Sequence, residues 1–342
     1  MTNGSGFLNN VLGGIAAFAQ QHLTERRLHQ ERLAALRDVI EQVVDASEPR
    51  IRLVGDYADK LVDAVGTALQ YCEKLTGQLP PALTLGARAW AADMRVNAFF
   101  ATVADLRAAL SQPRSVREFF QQRGQPEECF ALMLMVKRET ETFGSALVGD
   151  ILVREVRQIR VSFSEHRLHF PAASETELRQ DLRQRMLRFL AGRAQERIIE
   201  LRTRRDALEE QRRQLRAQLQ ALRGQGRGLH PLLSSADAEE RRLATLEQRL
   251  TQTEQELADA RKPLGTLDDY LTQVRQVVGQ PEPSLHLHRL SLRLNRLGVK
   301  LDEDSSEPGE TLALFELDSL GEQRIGALVR FSREEWSAGD AV

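Results

Sequence analysis

The stretch 243–278, LATLEQRLTQTEQELADARKPLGTLDDYLTQVRQVV, decides the reading of the fold. Apolar or small residues stand at Leu243, Leu246, Leu250, Thr253, Leu257, Ala260, Leu264, Leu267, Leu271, Val274 and Val278. The steps are three and four throughout, the spacing that keeps one face of an α-helix apolar, and they run long enough to predict a coiled coil. Pro263 alone interrupts the pattern and predicts a kink. A second ladder precedes it. Leu201, Leu208, Leu215 and Leu222 recur every seven residues, with Ile198, Arg205, Arg212 and Leu219 at the intervening core-type positions. Ser174 and Glu177 fit a capping box that opens this helix. Gly224, Gly226, Gly228 and Pro231 close it.

Two heptad helices joined by a short glycine-rich segment predict an antiparallel hairpin within one chain. A turn centred near residue 229 sets Leu215 against Leu243, Leu208 against Leu250, Leu201 against Leu257 and Leu187 against Leu271. Arg205 and Arg212 then need to reach outward, toward Glu247 and Glu254. At 1.5 Å per residue, such an arm is roughly 65 Å long.

On both flanks of the arm the period changes to two. Ile159, Val161 and Phe163 alternate with Arg160, Ser162 and Ser164, a strand with one wet face. Leu168 and Phe170 predict a short return strand that Pro171 ends. After Pro281 and Pro283, Leu285 and Leu287 alternate with His286 and His288. Leu290, Leu292 and Leu294 continue with shifted parity, which predicts a bulge. Val299 and Leu301, then 312–317, then 325–331 complete a meander around the acidic loop 302–310.

Residues 7–46, 50–76 and 84–111 read as amphipathic helices, and Ser115 with Glu118 as the capping box of a short helix through Gln122. The apolar run 131–136 reads as part of a further helix, with a buried strand as the alternative across 127–150. The expected fold is mainly α with a small antiparallel β-sheet (α+β). A helical bundle occupies 1–150, the sheet takes 151–172 plus 284–332, and the coiled-coil hairpin, 174–279, is inserted into it.

Bulk composition bounds the function. The chain has 342 residues, 42% hydrophobic and 28% charged, which excludes a disordered chain. A net charge of −2 leaves no whole-chain footprint for nucleic acid. Lysine occurs only at 60, 74, 137, 262 and 300, so the basic complement is almost all arginine. That pattern fits either a GC-rich coding sequence or bidentate recognition of phosphate and carboxylate. Cys72 and Cys129 stand in apolar contexts; a disulfide between them is the alternative, but they read first as buried free thiols of a reducing compartment. No stretch is apolar enough to span a bilayer, and the first residues lack the positive charge of a secretory leader.

The motif search returns no phosphate loop, no HExxH, no GxSxG and no CxxC. His286 and His288 share a strand face, and with His166 or His169 they could hold a metal, but their alternation with leucines reads first as the exposed polar face of a half-buried sheet. The expectation is a non-enzymatic coiled-coil assembly or scaffold protein, without cofactor, metal or small-molecule substrate. It acts through protein partners, forms a homo-oligomer, and works in the cytoplasm. Phe7, Leu8, Val11, Leu12, Ile15 and Phe18 make an apolar stripe suited to self-association, to burial in the bundle, or to peripheral contact with the inner membrane surface. The alternative partner is nucleic acid. Arg212, Arg213, Arg216, Arg223 and Arg227 on the arm are the candidate contacts to phosphate or an acidic partner, though no aromatic residues interleave to stack bases.

Overall fold

The computed structural model describes residues 30–340, except 123, 125, 149–150, 226–235, 303–304, 306 and 320–321. The fold is α+β, with a long helical hairpin inserted in sequence between the strands of one sheet. Two compact units form: residues 1–70 with 187–284, and residues 71–186 with 285–342. Of the three chain divisions, 70/71 and 186/187 fall inside long helices, and 284/285 does not.

The first unit is helical. It holds α1 (30–47), a 3-10 turn at Pro49–Leu53, the start of α2 (Tyr57–Gly77), most of α7 (Glu175–Gln225), α8 (Ala236–Arg261) and α9 (Leu267–Gly279). Its core collects Ile40, Val44, Ile51, Leu61, Val65, Leu190, Ile198, Leu271 and Val274, all buried. Each such side chain stabilises the fold by about 1.5–3 kcal/mol. Gly279 at the end of α9 lies against Ala64 of α2, where a Cβ would stand at ordinary contact distance, 3.4 Å from the Ala64 Cβ. Pro263 produces a break rather than a kink. A 3-10 turn, Lys262–Leu264, ends α8, and a Thr266–Asp269 capping box starts α9 as a separate helix.

The second unit is built on a six-stranded sheet. Its strands are β1 (Leu83–Thr84), β2 (Glu128–Val148), β3 (Ile151–Ala172), β4 (His288–Leu294), β5 (Glu310–Ser319) and β6 (Glu322–Ser332). The order is β3-β2-β6-β5-β4, antiparallel throughout, with β1 added parallel to β6. Residues 298–301 link the two outer strands. Val161 N–H donates to the Gly298 carbonyl and Lys300 N–H to that of Ile159, while Leu301 N–H donates to Arg293. The sheet therefore bends round on itself. Gly298 sits at φ +73°, and a Cβ there would meet the Val161 carbonyl oxygen at 2.9 Å, so this joint suits glycine alone.

The helix expected over the apolar run 131–136 is strand β2. It pairs with β6 on one edge from Glu128 to Met135 and with β3 on the other from Phe130 onward. Met133 and Met135 face one core and Leu132 another, so the run is apolar on both faces and shows no alternation. The expected return strand at Leu168–Phe170 is also corrected. β3 is one continuous strand with extra residues at three bulges. Phe170, Glu165 and Glu155 lie at these sites with positive φ. Each bulge flips the side-chain parity and bends the strand, which from sequence resembles a turn. Conversely, the parity change near Leu287 marks the start of β4, not a bulge.

Short helices α3 (Ala87–Ala92), α4 (Met94–Phe99), α5 (Val103–Ser111), α6 (Arg114–Gln121) and α10 (Arg333–Asp340) accompany the sheet. The single helix expected over 84–111 breaks into three because Asp93 caps α4 and a Thr102–Asp105 box caps α5. Pro113, not Ser115, occupies the N-cap of α6. Phe99, Phe100, Leu106, Val116 and Phe120 pack with Met133, Leu314, Val329 and Phe331 as one core. The opposite face of the sheet, around Leu132, Phe315 and Leu328, is covered by Leu79, Leu178 and Leu182. Gly326 belongs there: the Phe315 ring lies over it, 2.2 Å from where a Cβ would stand.

Candidate functional site

The α7–α8 hairpin is the largest element suited to contact a partner. Within the helical unit, the part of α7 from Leu187 to Gln225 spans roughly 58 Å. Leu208, Leu215 and Leu219 on α7, and Thr253 and Leu257 on α8, are buried, as the leucine ladders require. Ion pairs flank this seam: Arg216 with Glu254 at 2.6 Å, Arg223 with Glu247 at 2.7 Å, and Arg261 with Glu209 at 2.7 Å.

These pairs correct the register. Each partner on α8 lies twelve residues from its place in a turn centred at 229 (Arg216 meets Glu254, not the level of Arg242). Leu215 therefore stands near Leu257 rather than Leu243. The offset is close to two heptads, and sliding one heptad ladder along another by whole heptads keeps leucine facing leucine. The apolar pattern is degenerate in this respect; charge pairing and the packing at the base set the choice.

The candidate arginines of the arm are mostly committed to carboxylates. Arg213 pairs with Glu210 at 2.7 Å, and Arg216 and Arg223 pair across the seam. Arg212 is half-buried with its Nε unpartnered. Arg205 turns to Asp206 instead of reaching toward α8. Arg227 and the stripe Phe7, Leu8, Val11, Leu12, Ile15 and Phe18 lie outside the described residues. The pairs are exposed, so each contributes at most about 1 kcal/mol. They still neutralise the arginine side locally. The apolar exceptions on α7 in this unit are Phe189 and Ile199, 41% and 50% exposed.

In the sheet unit the chemistry-bearing residues do not converge. Cys72 and Cys129 are free and buried, and burial pushes their thiols up to about 11 and about 12. Such thiols are poor nucleophiles. His166 stacks on Phe100 at 4.4 Å, and burial lowers its pKa below the usual histidine value, opposed by a hydrogen bond with the Phe99 backbone. Burial, with help from Arg167 and Arg185, likewise lowers His169. His286 and His288 stack on each other at 6.0 Å, away from a third ligand: among the described residues no group of three or more His, Cys, Asp or Glu could hold a metal. A cleft of about 290 Å³ is lined by Arg160, Arg296, Asn97 and Ser162. The carboxyl end of α4 lines it too, and the partial negative charge of a helix C-terminus opposes binding of an anion.

Arginine is instead used to hold main-chain carbonyls, a role that sequence reading missed. Arg179 donates to the carbonyls of Thr76, Leu79 and Pro80 at 2.5–3.0 Å, and to Glu175. Arg293 donates to those of Asp302, Ser305 and Glu307. Arg333 donates to Phe120 at 2.7 Å and lies over its ring. The flat guanidinium, with five donors, suits this task better than an ammonium. The helical unit adds an ionic cluster. The Glu48 carboxylate, its side chain 9% exposed, accepts from Arg50 and Arg202, and both guanidiniums stack over the Tyr270 ring.

Among the described residues no helix is long and apolar enough to cross a membrane. Comparison with protein-family models, with curated proteins and with solved structures finds no match to this chain.

Proposed function

We propose that this is a non-enzymatic assembly protein of the cytoplasm, one that self-associates and uses its paired-helix arm to meet protein partners. The observation that carries the reading is the α7–α8 arm itself. Its seam is sealed by its own leucines, its arginines are matched to its own glutamates, and α7 still exposes two large apolar side chains, Phe189 and Ile199. Such an element holds a distance and offers a surface. The free, buried state of both cysteines fits a reducing compartment. The internal pairing of Arg213, Arg216 and Arg223 argues for protein rather than nucleic acid as the partner.

Light scattering on the full chain tests the self-association. The expected mass is a multiple of the 38.6 kDa chain, and it becomes smaller if removing residues 1–20 takes away a contributing contact. A single-chain mass at every concentration up to about 100 µM, where even micromolar association would be evident, contradicts the reading.

A further inference from the structure

Beyond the Met135–Ile325 pair, β6 leaves the edge of β2. Among the described residues no strand replaces it along 136–148. On the far side, β3 receives the 298–300 segment only near Ile159–Val161. The ribbon from Thr142 to Gly144, with Val156 to Gln158 opposite, is therefore two-stranded. A two-stranded ribbon is marginal in water, and a long open edge is a template for another strand. Phe143, in the middle of that edge strand, is 72% exposed.

We infer that β2 pairs antiparallel with β2 of a second copy of this chain, which deepens the self-association reading and rests on it. A two-fold axis through the strand at Phe143 sets this residue opposite itself in the copy, an aromatic cross-strand pair. The same register sets Arg138, Glu139 and Glu141 opposite Val148, Leu147 and Ser145. No like charges then face each other across the new ladder. Each charged residue keeps its own-chain partner where it has one: Glu139 with Lys137 at 3.0 Å, Glu141 with Arg157 at 3.7 Å. The result is a four-stranded sheet, β3-β2-β2-β3. Being isologous, it closes as a dimer and does not propagate into a filament.

The test uses the full chain and two exposed-site variants, with circular dichroism to confirm that both fold. Phe143→Glu places two carboxylates at the two-fold and should weaken the dimer at least tenfold by light scattering across a dilution series. Phe143→Cys should form a disulfide between chains on mild oxidation, since the native thiols are buried. A dimer that survives Phe143→Glu while Phe143→Cys stays uncrosslinked overturns the ribbon interface and leaves self-association standing. A wild-type chain that is monomeric throughout overturns both.

Discussion

Replacing Glu48 with alanine is expected to destabilise the helical unit by about 2–4 kcal/mol, the cost of leaving two guanidiniums without their shared anion. The range sits below that of a fully buried pair because Arg50 and Arg202 keep 54% and 32% of their side chains exposed and are partly rehydrated. The hydrogen bond from Arg50 holds the Glu48 carboxyl below its ordinary value of 4.5, against the opposing effect of burial and with further help from Arg202. A depressed carboxylate stabilises the fold above its unfolded pKa, and that contribution disappears as pH falls through the folded value. The wild-type chain should therefore lose this part of its stability below about pH 4.5. Glu48→Gln, which keeps the shape but not the charge, should show a flatter acid dependence. Urea unfolding at pH 7 and pH 3 reads both effects. Equal losses between the two pH values for wild type and Glu48→Gln would show that the cluster does not titrate with folding.

The second large effect belongs to Arg179. One guanidinium satisfies three carbonyls at and beyond the end of α2 and is itself held by Glu175 at 2.6 Å. The last carbonyls of a helix have no partner within it. Removing this donor from a half-buried site is expected to cost about 2–4 kcal/mol, because hydrogen bonds from a charged group are the stronger kind. Arg179→Lys should recover less than half of the loss, since one ammonium cannot span the fork. Hydrogen exchange should show the change first at the amides of residues 76–79 and of Ala82, whose N–H also donates to Glu175. Unchanged exchange there in Arg179→Ala would rule out the clamp.

The parts of the fold written as side-chain periodicity were legible. The heptads of 243–278 and the alternation at Ile159–Phe163 and Leu312–Leu317 predicted a helical arm set between strands. Periodicity fails where two solutions share one pattern. Leu215 can face Leu243 or Leu257 without changing the chemistry of the seam. β2 escaped because residues buried on both faces do not alternate. β3 escaped because three bulges reset its parity. The broken helices over 84–111 did have a signal, in Asp93 and in Thr102 with Asp105. The arginine clamps had none, since a carbonyl acceptor contributes no side chain to recognise. Arg216 and Arg223 were visible as candidates, but their partners Glu254 and Glu247 depend on the register. Phe143 was hidden by reading its segment as helix.

The central claim is that α7 and α8 zip within one molecule at the register set by Arg216 and Glu254. In a background with Cys72 and Cys129 replaced by alanine, Arg216→Cys combined with Glu254→Cys should be bridged inside a single chain at high dilution by a thiol-reactive crosslinker of about 10 Å reach, since an Arg–Glu ion pair spans a wider gap than a disulfide. Arg216→Cys combined with Arg242→Cys should not. Closure of the second pair, or a first pair that joins only separate chains, contradicts the account.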